Sequence, residues 1–194
     1  MKNPTKWSID AIHSEIGFSL SHLMISRVKG RFKKFDANIY TEGNNFSNAQ
    51  IDLYIDVASI DTFDTTRDTH LRSPDFFDVA QHKQITFTAS TLGKVNEEGN
   101  QDLWGQLTIL GQSRTIKLIA RFGGWARDSE GKERAGFSVT GEIDRTEWGL
   151  TWNPTLETGG FLVGTKVAIV CELELINEGH ENLKMELESA LNSN

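Results

Sequence analysis

Residues 67–79, RDTHLRSPDFFDV, set Arg67, Asp68 and His70 close together and follow them with adjacent phenylalanines, Phe76 and Phe77. The charged half has the residue types of a metal or acid–base site, and the aromatic half those of an apolar pocket. Spacing argues against the first. Asp68 and His70 are two positions apart, so on a helix they point in different directions. The histidines stand at 13, 22, 70, 82 and 180, without the i, i+4 pairing or the HExxH spacing of a helical zinc site. No metal is expected, and Arg67 and Asp68 read as residues that cap or pair with neighbours. Nucleophilic chemistry has no better footing. His13-Ser14 is only a dipeptide, there is no GxSxG elbow, and Cys171 has no evident base partner. Nothing singles out a carboxylate pair for acid–base work among 27 acidic residues. The glycines form neither GxGxxG nor a P-loop. No catalytic residue is therefore expected.

The elements that must position these residues are strands. AQIDLYIDV (49–57) puts Ala49, Ile51, Leu53, Ile55 and Val57 on one face and polar residues on the other, as a strand buried on one side does. The same phase recurs in SEIGFSL (Ile16, Phe18, Leu20), QITFTA (Ile85, Phe87, Ala89) and LWGQLTI (Leu103, Gly105, Leu107, Ile109). It returns in TIKLIARF, in AGFSVTGEI (Phe137, Val139, Gly141) and in VGTKVAIVCELEL from Val163 to Leu175. In VKGRFKKFDANI the alternation slips between Phe32 and Phe35, which predicts a β-bulge and a sharp bend. Taken as one strand, it brings the count to eight. LGQS (110–113), VNEEGNQ (95–101) and RDSEGK (127–132) have the lengths and glycines of hairpin loops. Eight one-sided strands joined by hairpins hide their edges by closing into an up-and-down barrel, with a two-sheet sandwich as the competing solution.

Residues 64–72 read as a short helix with Asp64 as N-cap, and SPDFFDV as a second one starting at Ser73 and Pro74. The opening segment is thus a helical insertion between the third and fourth strands. Leu183, Leu187 and Leu191 give the tail an amphipathic helical stripe, which leaves a homodimer open.

Composition bounds the remaining choices. At 194 residues with three scattered prolines, the chain reads as one domain. A net charge of −7 argues against a nucleic-acid partner. RVKGRFKK (27–34) reads as a strand with a basic outer face. The single cysteine excludes an internal disulfide, and no run reaches the ~18 apolar residues of a membrane span. The N-terminus has no apolar h-region, which predicts a cytoplasmic protein; a chain whose leader had been removed would read the same way.

WSIDAIHSEIGFSLSHLMISRVKGRFKKFDANI, RDTHLRSPDFFD, GQLTILGQS, IDRTEWG and FLVGTKVAI, in that order from Trp7 to about Leu175, strongly resemble the YceI-like family of lipocalin-like, polyisoprenoid-binding bacterial proteins. The chain departs from that pattern at Lys83, where a proline commonly stands, and at Gln112-Ser113. The resemblance implies an all-β, eight-stranded antiparallel barrel whose interior holds a long isoprenoid, of quinone or polyprenyl type, with no required cofactor. It implies a carrier or sequestering protein and not an enzyme; the alternative is an enzyme acting on an isoprenoid inside the barrel. On the inner faces, the expected lipid contacts are Phe18, Leu20, Gly30 and Phe32, then Ile51, Leu53, Ile55 and Phe87. They continue through Gly105, Leu107, Phe137, Val139, Gly141, Val167 and Ile169. Glycine in phase with the apolar face reads either as missing volume that opens a lumen or as relief of barrel curvature. Phe76 and Phe77 are expected at the barrel mouth, with Arg67 and His70 as possible head-group contacts.

Overall fold

Alternation makes half-buried strands, and eleven form in the computed structural model, which describes residues 4–90, 92–155 and 160–179. They are β1 (Thr5–Ile9), β2 (Glu15–His22), β3 (Ser26–Phe32), β4 (Phe35–Glu42), β5 (Asn45–Asp56) and β6 (Ile60–Asp61). After the helix α1 (Thr65–Arg72) come β7 (Gln84–Ala89), β8 (Asn100–Ile109), β9 (Gln112–Arg127), β10 (Glu133–Asp144) and β11 (Val163–Asn177). The tail with its leucine stripe lies outside the described residues. Among those described, no helix is long and apolar enough to cross a membrane.

Strands β1, β4, β5, β7, β8, β9, β10 and β11 hydrogen-bond in that order. The last returns to the first, with Trp7 opposite Asn177 and Ile9 opposite Leu175. All pairings are antiparallel, and the result is a closed eight-stranded barrel that leaves no room for the sandwich alternative. Three of its staves are each made of two segments. β2 continues the line of β1 along β11, β3 pairs with β2, and β6 pairs with β3.

These split staves account for two differences from the sequence reading. The slip at Phe32–Phe35 is not a bulge in one strand but a break between β3 and β4. Lys33 N–H donates to the Ser59 carbonyl at 3.2 Å and Lys34 N–H to Ser59 Oγ at 3.0 Å. Ser59 sits in a one-turn 3₁₀ helix (Val57–Ser59), so this stave and its neighbour bend together. Strand β1 escaped the pattern because only Trp7 and Ile9 mark its inner face.

Residues 73–79 are not a second helix. Ser73 ends α1 by donating its N–H to the His70 carbonyl, and Phe77 and Val79 donate back to the carbonyls of Leu71 and Arg72. The chain folds onto the end of α1 and satisfies its open carbonyls. Asp78, at φ +42°, takes up the tight curvature that follows.

At the end of the barrel where β1 begins, Trp7, Phe46, Trp125 and Phe137 stack with ring centroids 4.9–5.5 Å apart. Trp7 is fully buried and donates Nε1–H to Thr41 Oγ1 at 2.8 Å. This cluster floors the interior. At the opposite end β6 is only two residues long and pairs on one edge, with β3; α1 packs beside it.

Candidate functional site

Between the aromatic floor and α1 lies a cavity of about 540 Å³, within the range of ligand sites. Its walls come from the inner residues of every stave. Phe18, Leu20, Phe32, Ile51, Leu53, Ile55, Phe87, Leu107, Phe137, Val139, Val167 and Ile169 all line it, and so do Phe76 and Phe77.

The three glycines do not open on the cavity, which corrects the missing-volume reading. A Cβ on Gly30 would meet the Phe18 ring at 2.9 Å or closer, and one on Gly105 would meet the Thr88 carbonyl at 2.6 Å as well as the Phe87 ring. At Gly141 the obstruction is the end of the Leu118 side chain. Each glycine is overlain by a large residue from the neighbouring strand. The volume it lacks is already filled.

The charged half of RDTHLRSPDFFDV fastens α1 to the barrel. Asp64 caps the helix by accepting from Arg67 N–H at 3.0 Å. Buried Asp68 accepts from the Thr62 amide at 2.9 Å and its hydroxyl at 2.5 Å. Arg67 donates to Thr62 Oγ1 and carbonyl at 2.8 and 2.6 Å, and Arg72 to the carbonyls of Ala58 and Ile60 at 2.8 and 2.7 Å. His70 Nε2 lies 3.0 Å from Asp75, with its ring edge-on to Phe76 and Trp152. Both Arg67 and His70 face the cavity.

Sequence reasoning missed the deepest charged residue of the site. Arg145 begins a short 3₁₀ turn (Arg145–Trp148) after β10, and is only 4% exposed. Its Nε donates to the Gly164 carbonyl at 3.0 Å, and Nη1 to the carbonyls of Leu150 and Trp152. Nη2 is buried without a hydrogen-bond partner among the described residues. Burial lowers the Arg145 pKa, against the opposing charge of Asp144. Arg145 lines the cavity together with Thr62, Asp64, Thr66, Arg67 and His70, all at the α1 end. Asp64 and Thr66 are themselves exposed, so the cavity reaches solvent there. IDRTEWG carried a signal: Asp144 heads an Asx-type turn, with Oδ1 accepting from Thr146 N–H at 3.1 Å, and Gly149 closes it at φ +83°. That signal gives the turn but not its inward direction.

Two other groups bear on chemistry. Cys171 lines the cavity, and burial pushes its thiol up to about 12, so it is a poor nucleophile at neutral pH. Asp10, His13 and Glu174 bring their ligand-type atoms together at the corner between β1 and β2. There the Arg134 guanidinium already bonds Asp10 at 2.6 Å and Glu174 at 2.5 Å, so the carboxylates are engaged in an ion-pair network.

Residues 7–175, from within β1 to within β11, match the YceI-like domain. The chain belongs to the YceI-like family. It is similar to a UPF0312 protein of Staphylococcus epidermidis, at 37% identity over 171 residues that cover 88% of this chain and 96% of that one. The barrel superimposes on the YCEI protein of Campylobacter jejuni with a TM-score of 0.70 and 33% identity, covering 81% of this chain and 90% of that one. A polyisoprenoid binding domain from Saccharophagus degradans has the same fold, with a TM-score of 0.65 at 19% identity over 88% of this chain and 98% of its own. The cavity, α1 and the Arg145 turn all fall within the YceI-like span.

Proposed function

We propose that the protein binds a long amphiphilic lipid of isoprenoid type, quinone or polyprenyl, with its hydrocarbon in the barrel and its polar end beside Arg145. The observation that carries this is the division of the cavity: apolar walls from the floor upward, and charged and hydroxyl side chains gathered at the open end. Burying hydrocarbon there yields about 0.8 kcal/mol per CH₂ before the costs of association. A long chain therefore binds tightly with few polar contacts. A head-group oxygen would give the Arg145 Nη2 the partner it lacks, and an unsatisfied buried donor costs about 1–3 kcal/mol. The polyisoprenoid binding described for the Saccharophagus domain supports the same ligand class. Binding without catalysis is supported by how the mouth residues are spent. Asp68, Arg67 and Arg72 are engaged in fastening α1, and the cavity thiol is held protonated.

An organic extract of the purified protein, read by mass spectrometry, should contain a long-chain isoprenoid in near-stoichiometric amount. Repeated lipid-free extracts, with no uptake of added menaquinone or polyprenol, would overturn the reading. Arg145→Met should bind the hydrocarbon squalene as well as wild type does while losing about ten- to one-hundred-fold in affinity for menaquinone-4. Because both ligands are compared on one variant, a general loss of fold cannot mimic that change in ratio.

A further inference from the structure

The open end of the barrel presents large apolar side chains to solvent. Met24 and Ile25 are 75% and 84% exposed, Phe63 72% and Phe161 56%. Each lies in a segment whose neighbours line the cavity: His22 and Val28 flank the first pair, Thr62 and Asp64 bracket Phe63, and Leu162 follows Phe161. Three separate segments thus ring one mouth with apolar tips. Elsewhere Phe122 and Trp125 are less exposed and pack on each other at the floored end, and Ile12, Tyr54, Val95, Trp104 and Val170 are scattered over that end and the wall.

The backbone at two of these segments is unusual. Leu23 and Met24 are the central residues of the β2–β3 hairpin turn, closed by Ile25 N–H to the His22 carbonyl, with φ of +52° and +60°. Such a turn ordinarily takes Asn-Gly. Phe63 also has a left-handed backbone, at φ +64°. Side chains larger than Asn or Asp seldom sit there without a functional reason. Strain and exposure coincide at the same rim.

Charge adds a third observation. Arg27 and Lys29 stand exposed on the outer face of β3 next to the tip, and the Arg31 guanidinium lies 5.4 Å from the centre of the Phe63 ring. In a chain of net charge −7 this is a local basic strip. Several acidic groups of this end are engaged: Asp61 by Arg31 and Lys33, Asp75 by His70, Asp144 by Lys166. Asp64 caps α1, and Glu147 is exposed.

We infer that the open end is a docking surface for an anionic lipid bilayer. Met24, Ile25, Phe63 and Phe161 enter the boundary between head groups and acyl chains, and Arg27 and Lys29 meet lipid phosphates. A lipid can then pass between bilayer and barrel without crossing water. The surface exists whether or not the cavity is filled, so this inference stands apart from the identity of the ligand.

Flotation with vesicles tests it, using phosphatidylglycerol–phosphatidylethanolamine mixtures beside pure phosphatidylcholine. Wild type should float with the anionic vesicles at low salt, and Arg27→Gln and Lys29→Gln should each weaken binding about five-fold. The decisive variant is Met24→Gly with Phe63→Asn, which gives both left-handed positions residues that suit them. It should melt higher than wild type and yet float less, a combination that misfolding cannot produce. Wild type that stays in solution with anionic vesicles, or a double variant that floats as well as wild type, would overturn the inference. Parallel lipid extracts keep the two readings separate. Protein that floats but is lipid-free supports docking and fails as a carrier; protein that carries lipid but does not float does the reverse.

Discussion

Glycine has opposite meanings at different points of this barrel, and what distinguishes them is the residue lying across it. Gly105 is covered by the Phe87 ring, and a Cβ there would also press on the Thr88 carbonyl, a backbone atom that cannot swing aside. Gly136, at the register shift in β10, has open space where its Cβ would be and no positive φ. Gly105→Ala should therefore cost about 1–3 kcal/mol by overpacking, and Gly136→Ala should fall within about 0.5 kcal/mol of wild type. Urea midpoints of the two variants decide; equal effects would mean that the ring does not depend on the missing Cβ. None of this is visible along the chain, because the covering residue comes from the neighbouring strand. Arg145 was hidden for a related reason. A charged residue at the end of an alternating strand looks like the start of a solvated loop, and only the 3₁₀ turn after it brings the guanidinium inward.

Among the elements, the corner at residues 10–14 carries the clearest dependence on pH. Asp10 accepts from the Ile12 amide at 3.0 Å, from His13 Nδ1 at 3.0 Å and from Arg134. The His13 ring, with Arg134, holds the Asp10 carboxyl well below the usual carboxylate range despite its burial. Asp10, by its hydrogen bond and charge, raises the pKa of His13. A group whose pKa is raised on folding stabilises most below its unfolded value, here ~6.5, and loses that contribution as pH rises through the folded value. His13→Gln should thus lose most stability near pH 5–6 and converge with wild type at higher pH. Urea midpoints across that range test it, and a gap that widened with pH would refute the pairing. The same corner shows what the sequence conceals. Alternation is legible wherever a strand spans several residues of one phase, so all eight staves, the first of them through β2 alone, and α1 with its Asp64 cap were readable. Strand β1 offers two inner residues and then a turn, too few to declare a period. SPDFFDV has the start signals of a helix, yet its amides bond back onto the carbonyls of α1.

For the molecule as a whole, the aromatic floor makes the barrel a cup and not a sleeve. Inward apolar residues look the same in sequence whether they meet in a solid core or face a void, so the cavity could be expected from family resemblance but not from alternation alone. Its floor is not written in the alternation, because Trp7 and Phe46 come from stretches far along the chain from the β9–β10 hairpin that carries Trp125 and Phe137. Only Phe46 and Phe137 of this cluster face the cavity, with Trp7 and Trp125 backing them. A floored barrel limits the length of chain it can hold. Affinity for prenols of increasing length should rise by the burial of each added unit until the hydrocarbon reaches Phe46, and then level off as further units remain in water. Phe46→Ala should remove part of the floor and move the plateau to longer chains, at a stability cost of about 3 kcal/mol or less, since Phe46 is only partly buried. Titration of delipidated protein with the prenol series gives both curves, and bound lipid must be removed first because it raises apparent stability by itself. An affinity that climbed without a plateau in wild type would mean that long chains leave through the far end, and the barrel would be a sleeve.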